Sequence, residues 1–408
     1  MRWRTLASLA SGILVFGILF AFAKTEGGFL PWFLLYFYTV LFLYELATWA
    51  SGVRGLETRR MVSATRLSAG QSLTIEVSLK RTGVWPLFWV RITEQLPPAM
   101  ARHRMSLTQS LLPLWSKTTT YDYRLHNLSR GVYAIGNTEI ETGDVLGLIR
   151  ARQIESRSDQ ILVYPKVVPV RGWSASRPEE LGLRQPTRRR AEDSSNVLGV
   201  RGYVPGDRLS RIHWPATARR GTLQAKEFEL HVTSEMVFVP DCSMDSFGGK
   251  NQLFELEMTM TASLMKYAYE LRRQFGAMIY ANHLQAFPTG CDEALFLRCM
   301  EKLADVQPDG HLPFAQSLVR IGQETANGCT LVVLSPQLNR AAAVAAATLR
   351  KRGPVEWFVP LQRDSLSDSD KVGLQMLLSA RVTVHLISQA QQLSNMQRGG
   401  VTRASILG

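Results

Sequence analysis

Cysteine is scarce in this chain: four among 408 residues, Cys242, Cys291, Cys299 and Cys329, and none in the first half. With no paired short spacing, a disulfide framework is excluded and a reducing compartment is expected. Cys291 and Cys299, eight apart, lack the spacing of zinc ligands and read as buried small hydrophobes. Acidic residues are also in deficit, 34 against 47 Lys and Arg, which leaves a net charge of +13. Such a surplus suits an anionic partner or a membrane surface. The bases are spread over linkers and apolar flanks rather than gathered in one recognition motif, so nucleic acid is not expected as a partner. No glycine-rich phosphate loop follows any strand-like run, which excludes a Rossmann or P-loop nucleotide site. No nucleophile–base pair is recognisable either, and a non-enzyme is expected.

Long apolar runs are present, but only at the start. Residues 6–23 are of about the minimum length for a bilayer span, and a second run, 29–50, is rich in Leu, Phe, Tyr and Trp. A secretory signal is the alternative for the first run, since Arg2 and Arg4 resemble its charged head. The second run follows too closely for that, so two transmembrane helices forming a hairpin over residues 1–55 are predicted. Arg2 and Arg4 precede them, Arg54, Arg59 and Arg60 follow, and the connection holds only Lys24 against Glu26. By the positive-inside rule both termini and the soluble part are then cytoplasmic, in a multi-pass protein of the cell membrane.

A chain of this length holds two soluble domains or a little more. Over 56–170, Leu73, Ile75, Val77 and Leu79 alternate with polar residues, the mark of a half-exposed strand. Short apolar runs at 87–92, 121–125, 132–135 and 161–164, separated by Gly, Pro and Asn turns, predict an antiparallel β-sandwich. Residues 171–235 form a basic linker and signature segment, solvated over 171–200. From 236 to 408 strands alternate with helices. Strands are expected at 236–240, 277–281, 330–335, 355–361 and 382–388, and helices at 253–275, 292–304, 313–323 and 337–352. That order implies an α/β doubly wound, mostly parallel sheet with helices on both faces.

Ligand chemistry in such a sheet gathers at the carboxyl ends of the strands. Asp241, Ser243 and Asp245 stand there, and their alternate spacing can bring three oxygen donors together. Hard oxygen ligands suit Mg²⁺ or Mn²⁺. The alternative is that Asp241 and Ser243 cap the next helix and fix the loop.

Upstream lies RGYVPGDRLSRIHWPATARRGTLQAKEFE, which gathers Arg201, Tyr203, Gly206, Asp207, Arg211, His213, Trp214, Arg219 and Lys226 around a Pro-Gly-Asp turn. In one reading Asp207 caps the turn or pairs with Arg211, and Ile212 and Trp214 alternate along an extended segment that buries against the sheet domain. Arg211 and Arg219 then fasten carboxylates by bidentate bonds. In the other, the guanidinium groups form a site for a partner's carboxylates or phosphates. The fastening role is preferred, and His213 reads as a structural histidine rather than an acid–base catalyst.

The second half resembles a von Willebrand factor A-like domain, whose metal-ion-dependent adhesion site begins Asp-x-Ser-x-Ser at this position. With RGYVPGDRLSRIHWPATAR, the segment RGVYAIGNTEIETGDVLGLIRARQ and the VYPK that follows it, the whole chain resembles the bacterial family called domain of unknown function 58. Tyr203, Gly206, Asp207, Arg211, Ile212, Trp214, Ala218 and Arg219 carry the likeness, while Pro215 stands where many members have Lys. The chain departs from the adhesion pattern in three places. Asp245 replaces the second Ser, no Thr occurs in the loop Pro308-Asp309-Gly310-His311, and Ser335-Pro336 stands where an Asp is usual. A metal-free protein-binding or structural loop is therefore expected, with no cofactor. The resemblance implies a membrane-anchored adaptor that works beside a MoxR-type AAA+ ATPase and a transglutaminase-like membrane protein in protein assembly or maturation. Two other readings stay open: a surface metal-dependent adhesin with the soluble part outside, and a metal-dependent hydrolase using Asp241, His213 or His311.

Overall fold

The computed structural model describes residues 2–51, 55–83, 86–98, 100, 106–143, 150–173, 197–204, 209–228, 235–249, 251–362 and 366–396. The chain divides into two compact units, Met1–Tyr164 and Pro165–Gly408.

Unit 1 opens with helices α1 (Arg2–Glu26) and α2 (Phe29–Ser51). They pack on each other where Gly12 leaves room for the Phe42 ring and its carbonyl accepts a 2.9 Å bond from the Tyr38 hydroxyl. Among the described residues one helix, over Phe29–Ala47, is long and apolar enough to cross a membrane. The expectation of two transmembrane helices is corrected on this point. Helix α1 is the less apolar of the two, with Arg2, Arg4, Lys24 and Glu26 at its ends and Ser8, Ser11, Gly12 and Gly17 along it.

The rest of unit 1 is β-rich. Its strands are β1 (Leu56–Val62), β2 (Arg66–Ser68), β3 (Leu73–Arg81), β4 (Trp89–Gln95), β5 (Ser106–Leu111), β6 (Thr118–Leu125), β7 (Gly131–Ile135), β8 (Thr138–Gly143), β9 (Arg150–Glu155) and β10 (Asp159–Tyr164). They form three sheets rather than the two of a simple sandwich, in the orders β1-β3-β6, β2-β10-β7 and β5-β4-β8-β9. The period-2 pattern of β3 explains the packing: Leu73, Ile75, Val77 and Leu79 are all buried. Leu73, Ile75 and Val77 meet Ile135, Ile161 and Val163 of the second sheet. Leu79 meets Val90, Ile92 and Ile140 of the third. Between these apolar layers runs a buried charge network. Arg60 contacts Glu94 at 3.2 Å and Asp159 at 3.0 Å, and the Tyr123 hydroxyl donates to Glu94.

Unit 2 begins before its sheet does. Residues 165–173, expected in part as solvated linker, are packed. The Val168 amide donates to the Ser263 hydroxyl at 3.0 Å, and the buried Trp173 ring donates from Nε1 to Glu356 at 2.6 Å. Glu356 lies 3.4 Å from His385, so a carboxylate and an imidazole share the floor beneath the indole. Gly172 (φ 79°) must be glycine, since a Cβ there would meet the Met396 carbonyl at 2.2 Å.

A hairpin follows, β11 (Val197–Gly202) and β12 (Gln224–Phe228), spanned by the short helix α3 (Trp214–Arg220). The main sheet has strands β13 (Met236–Pro240), β14 (Phe275–Tyr280), β15 (Leu284–Gly290), β16 (Thr330–Leu334), β17 (Val355–Pro360) and β18 (Thr383–Ile387). Its order is β15-β14-β13-β16-β17-β18, parallel except for the edge strand β15. The connecting helices are α4 (Met244–Phe247), α5 (Asn251–Glu270), α6 (Glu293–Asp305), α7 (Phe314–Glu324), α8 (Arg340–Arg350) and α9 (Asp368–Ser379). Alternation sorts the strand residues between two faces. Val237, Val239, Leu331, Val333, Trp357 and Val384 share a core with α7, α8 and α9. Helix α5 contacts β13, β14 and β17. Cys299 is buried as expected of a small hydrophobe, Cys242 and Cys329 are buried as well, and Cys291, expected to be buried, is exposed. Burial pushes the Cys299 thiol up to about 12.

Candidate functional site

Strand β13 is interior, hydrogen-bonded to β14 and β16, so its carboxyl end opens between two neighbours. Asp241 follows it directly and is fully buried. Its amide donates to the Leu334 carbonyl at 2.9 Å and to Glu257 at 2.7 Å. The carboxylate is the hub of a hydroxyl cluster. Asp241 Oδ1 accepts from the Ser243 amide at 2.8 Å and the Ser243 hydroxyl at 2.6 Å. Asp241 Oδ2 accepts from the Ser335 hydroxyl at 2.7 Å and from the Ser246 hydroxyl. Gln337 closes the rim, its side-chain amide donating to Ser246 Oγ at 2.8 Å. Gly310 clasps the loop from the other side: its amide donates to the Cys242 carbonyl at 2.9 Å and its carbonyl accepts from Met244 at 2.9 Å. A Cβ at Gly310 would sit 2.8 Å from the Cys242 oxygen, so the clasp requires glycine.

Burial pushes the Asp241 carboxyl up to about 6, while the bonds from Ser243, Ser246 and Ser335 pull it down. One carboxylate with both oxygens occupied by internal donors is a poor match to a resident divalent cation, which favours several charged or open oxygens. Asp245, predicted beside Asp241 and Ser243, is exposed in the first turn of α4, and among the described residues no bond joins it to the cluster. Among the described residues no three His, Cys, Asp or Glu side chains gather in a way that could hold a metal ion. The residues present do not fit Mg²⁺ or Mn²⁺, and no chemistry is routed through one.

Sequence reasoning missed Ser246, Ser335, Gln337 and Glu257. Ser335 had been set aside as a lost donor, yet it ends the strand beside β13 and bonds Asp241 directly. Glu257 carried a readable signal: it lies four residues after Leu253 on the apolar stripe of α5 and is fully buried there.

The basic segment departs from the extended reading after Ile212. Ile212 is buried, bridged to Ala225 of β12, while the chain turns into α3 at the next residues. His213 Nδ1 accepts from the Ala216 amide at 3.1 Å, and its own amide donates to the Gln224 carbonyl at 2.7 Å. His213 is thus the N-cap of α3, a structural role. His213→Ala is expected to destabilise the hairpin by about 1 kcal/mol, read as faster amide exchange over α3 and β12. Trp214, expected to bury, is 63% exposed, because Pro215 in the first turn starts a helix and throws the indole outward. Elsewhere in the segment Leu209 (72%), Val204 (57%) and Leu223 (44%) are exposed too. Arg219 and Arg220 are exposed in the last turn of α3, and Arg220 donates to Gln224 at 3.4 Å. Arg201 donates to the Gly202 carbonyl at 3.1 Å, and Tyr203 and Lys226 are half-buried. Gly206, Asp207 and the Arg211 side chain lie outside the described residues, and so does the expected Asp207–Arg211 pair. Among the described residues Arg219 has no carboxylate partner, so the fastening it was expected to make is not found.

The fold and these two sites define the second unit as a parallel α/β sheet domain with a hydroxyl–carboxylate strand end and a basic, apolar-tipped hairpin. Residues 199–356 match the family described as "Protein of unknown function DUF58". It is also 26% identical over 373 residues to "Uncharacterized protein YeaD" of Bacillus subtilis (strain 168), covering 90% of this chain and 92% of the relative. Two similar solved structures are proximal thread matrix protein 1 from the mussel byssus and the pilus adhesin SpaC of Lactobacillus rhamnosus GG. The first has a TM-score of 0.30 at 11% identity over 40% of this chain and 45% of its own. The second has a TM-score of 0.31 at 8% identity over 39% of this chain and 28% of its own. Likeness at that level assigns no fold, and the expected von Willebrand factor A-like assignment is not retained.

Proposed function

We propose that this protein is a non-catalytic adaptor, anchored in the membrane by α2, whose hairpin docks a protein partner of apolar and acidic chemistry. One observation carries the reading: the short segment from Leu209 to Leu223 leaves Leu209, Trp214 and Leu223 exposed, with Arg219 and Arg220 exposed in the same stretch. Exposed aromatic and aliphatic anchors ringed by Arg are the composition of interface hot spots, and the scaffold beneath them is rigidly hydrogen-bonded. The strand-end cluster supports a binding role over a catalytic one, because both Asp241 oxygens are spent on holding the loop. The soluble units are cytoplasmic in this reading, with Arg54, Arg59 and Arg60 within ten residues after α2 and Lys24, offset by Glu26, the one base in the twenty residues before it. The partner proposed is a MoxR-type AAA+ ATPase, working with a transglutaminase-like membrane protein in protein assembly.

Pull-down from a native membrane extract tests this. Wild type is expected to retain an AAA+ ATPase, and Trp214→Ala with Arg219→Ala to release it, while amide exchange of the main sheet stays unchanged. Absence of the ATPase from the wild-type eluate, or equal retention by the double variant, defeats the proposal.

A further inference from the structure

We propose that the end of the β-rich unit next to α2 is a second membrane contact, in which Leu112, Leu114 and Trp115 enter the lipid interface. The inference rests on reading α2 as the anchor and adds a lipid surface as the partner of a different part of the chain.

Strand register fixes which loops share an end. Leu56, the first residue of β1 after α2, pairs with Arg81, the last of β3, and Lys80 pairs with Thr118, the first of β6. Val90 near the start of β4 pairs with Leu111, the last of β5. The β3–β4 and β5–β6 connections therefore emerge beside the point where the chain leaves α2. Contacts tie them there. The Thr82 amide donates to the Gly55 carbonyl at 3.0 Å, and the Phe88 ring meets the Tyr44 ring of α2 edge-on at 5.9 Å. Leu87 and Leu114 exchange backbone bonds of 3.0 and 2.8 Å, which joins the two connections.

The β5–β6 connection, LPLWSK after Leu111, exposes what a water-facing loop would hide. Leu112 is 75% exposed and Trp115 71%, with Leu114 at 47%. These side chains are held out by a fixed backbone. The buried Arg81 donates to the Trp115 carbonyl at 3.1 Å, and Leu114 sits at φ 48°, a left-handed conformation that a leucine adopts only under constraint. The other end of the same sheets is the internal control. Among the described residues, the β1–β2, β2–β3 and β6–β7 connections there present Ser63, Thr65, Gln71, Ser72, His126, Asn127 and Ser129 to solvent. An apolar end and a polar end on one body, the apolar end abutting the membrane helix, define a lipid-facing surface. Tryptophan favours the headgroup level, and the exposed Lys80 and Lys117 beside the loop suit anionic headgroups.

The test uses the full chain in vesicles of phosphatidylcholine and phosphatidylglycerol, with Cys291→Ser removing the exposed native thiol. A fluorescent label is placed singly through Leu112→Cys, Trp115→Cys, Gln71→Cys or Phe37→Cys. Labels at 112 and 115 are expected to lose fluorescence to nitroxide-bearing lipids and to resist iodide, as at 37, while the label at 71 does the reverse. If 112 and 115 behave like 71 while 37 remains in lipid, the anchor stands and the second contact is wrong. Shielding from iodide without quenching by lipid nitroxide means a protein covers the loop, which also overturns it. A water-exposed label at 37 removes the anchor, and both readings fall together.

Discussion

Arg60→Met is expected to destabilise unit 1 by about 3–5 kcal/mol, because it strips from a fully buried carboxylate the one cation that pairs with it among the described residues. Arg60 and Glu94 lie in the β-rich core at 5% and 0% exposure. Arg60 also bonds the Thr138 hydroxyl at 2.9 Å and the Gly136 carbonyl at 3.0 Å, so its loss orphans acceptors as well as a charge. The reverse change, Glu94→Ala, should cost less, since Arg60 keeps Asp159 at 3.0 Å on the more exposed side of the network. In the Arg60→Met background, Glu94→Gln should recover much of the loss, because a neutral amide still accepts from Tyr123 without needing a counter-charge. Burial, and after it the charge of the same buried carboxylate, raises the Tyr123 phenol far above its ordinary value, so the phenol stays a donor at any working pH. Denaturant unfolding of the full chain, followed by amide exchange on β1 and β4, reads the order of the three variants. Equal stabilities would show that the network is not energetically coupled.

Legibility in the sequence followed how local the deciding interaction was. The alternation in β3 and the apolar run of β13 could be read directly, because burial of one or both strand faces writes itself into consecutive residues. Strand β15 escaped notice because Pro288 sits within it, and a proline is tolerated there only because β15 is an edge strand. Helix α9 was overlooked although Ser367 and Asp370 form a capping box. Its Gly373 looks like a helix breaker, but a Cβ there would run into the Leu338 carbonyl at 1.4 Å, so the glycine permits close packing. Trp214 misled for the opposite reason. Ile212 and Trp214 alternate as a strand would, yet the His213 cap and Pro215 open a helix between them. At the strand end Asp241 and Ser243 were visible, while Ser335 was not, since 94 residues separate it from Asp241 and only the sheet order brings them together.

That cluster gives the second large prediction. Asp241→Asn is expected to flatten the pH dependence of unit 2 stability between about pH 4 and pH 6. In the folded chain the Asp241 carboxyl titrates at about 6, above the ordinary carboxylate value near 4, because the protein interior penalises its charge. A raised folded value means that the folded state holds its proton longer than the unfolded chain does. The stabilising contribution is therefore complete below about pH 4, declines as pH rises, and is gone above about pH 6. Its size is on the order of 3 kcal/mol, from roughly two pH units at about 1.4 kcal/mol each. Asparagine cannot ionise, so the variant should lose the decline and gain on wild type as the pH rises from about 4 to about 6, with the difference constant above that. Asp241→Ala separates charge from geometry: it too removes the slope, but it leaves the Ser243, Ser246 and Ser335 hydroxyls without their shared acceptor and should be less stable than Asp241→Asn at every pH. Unfolding curves of the three proteins at pH 4, 5, 6 and 7 decide it. A slope in Asp241→Asn equal to that of wild type would assign the titration to another group and leave the buried carboxylate ionised throughout.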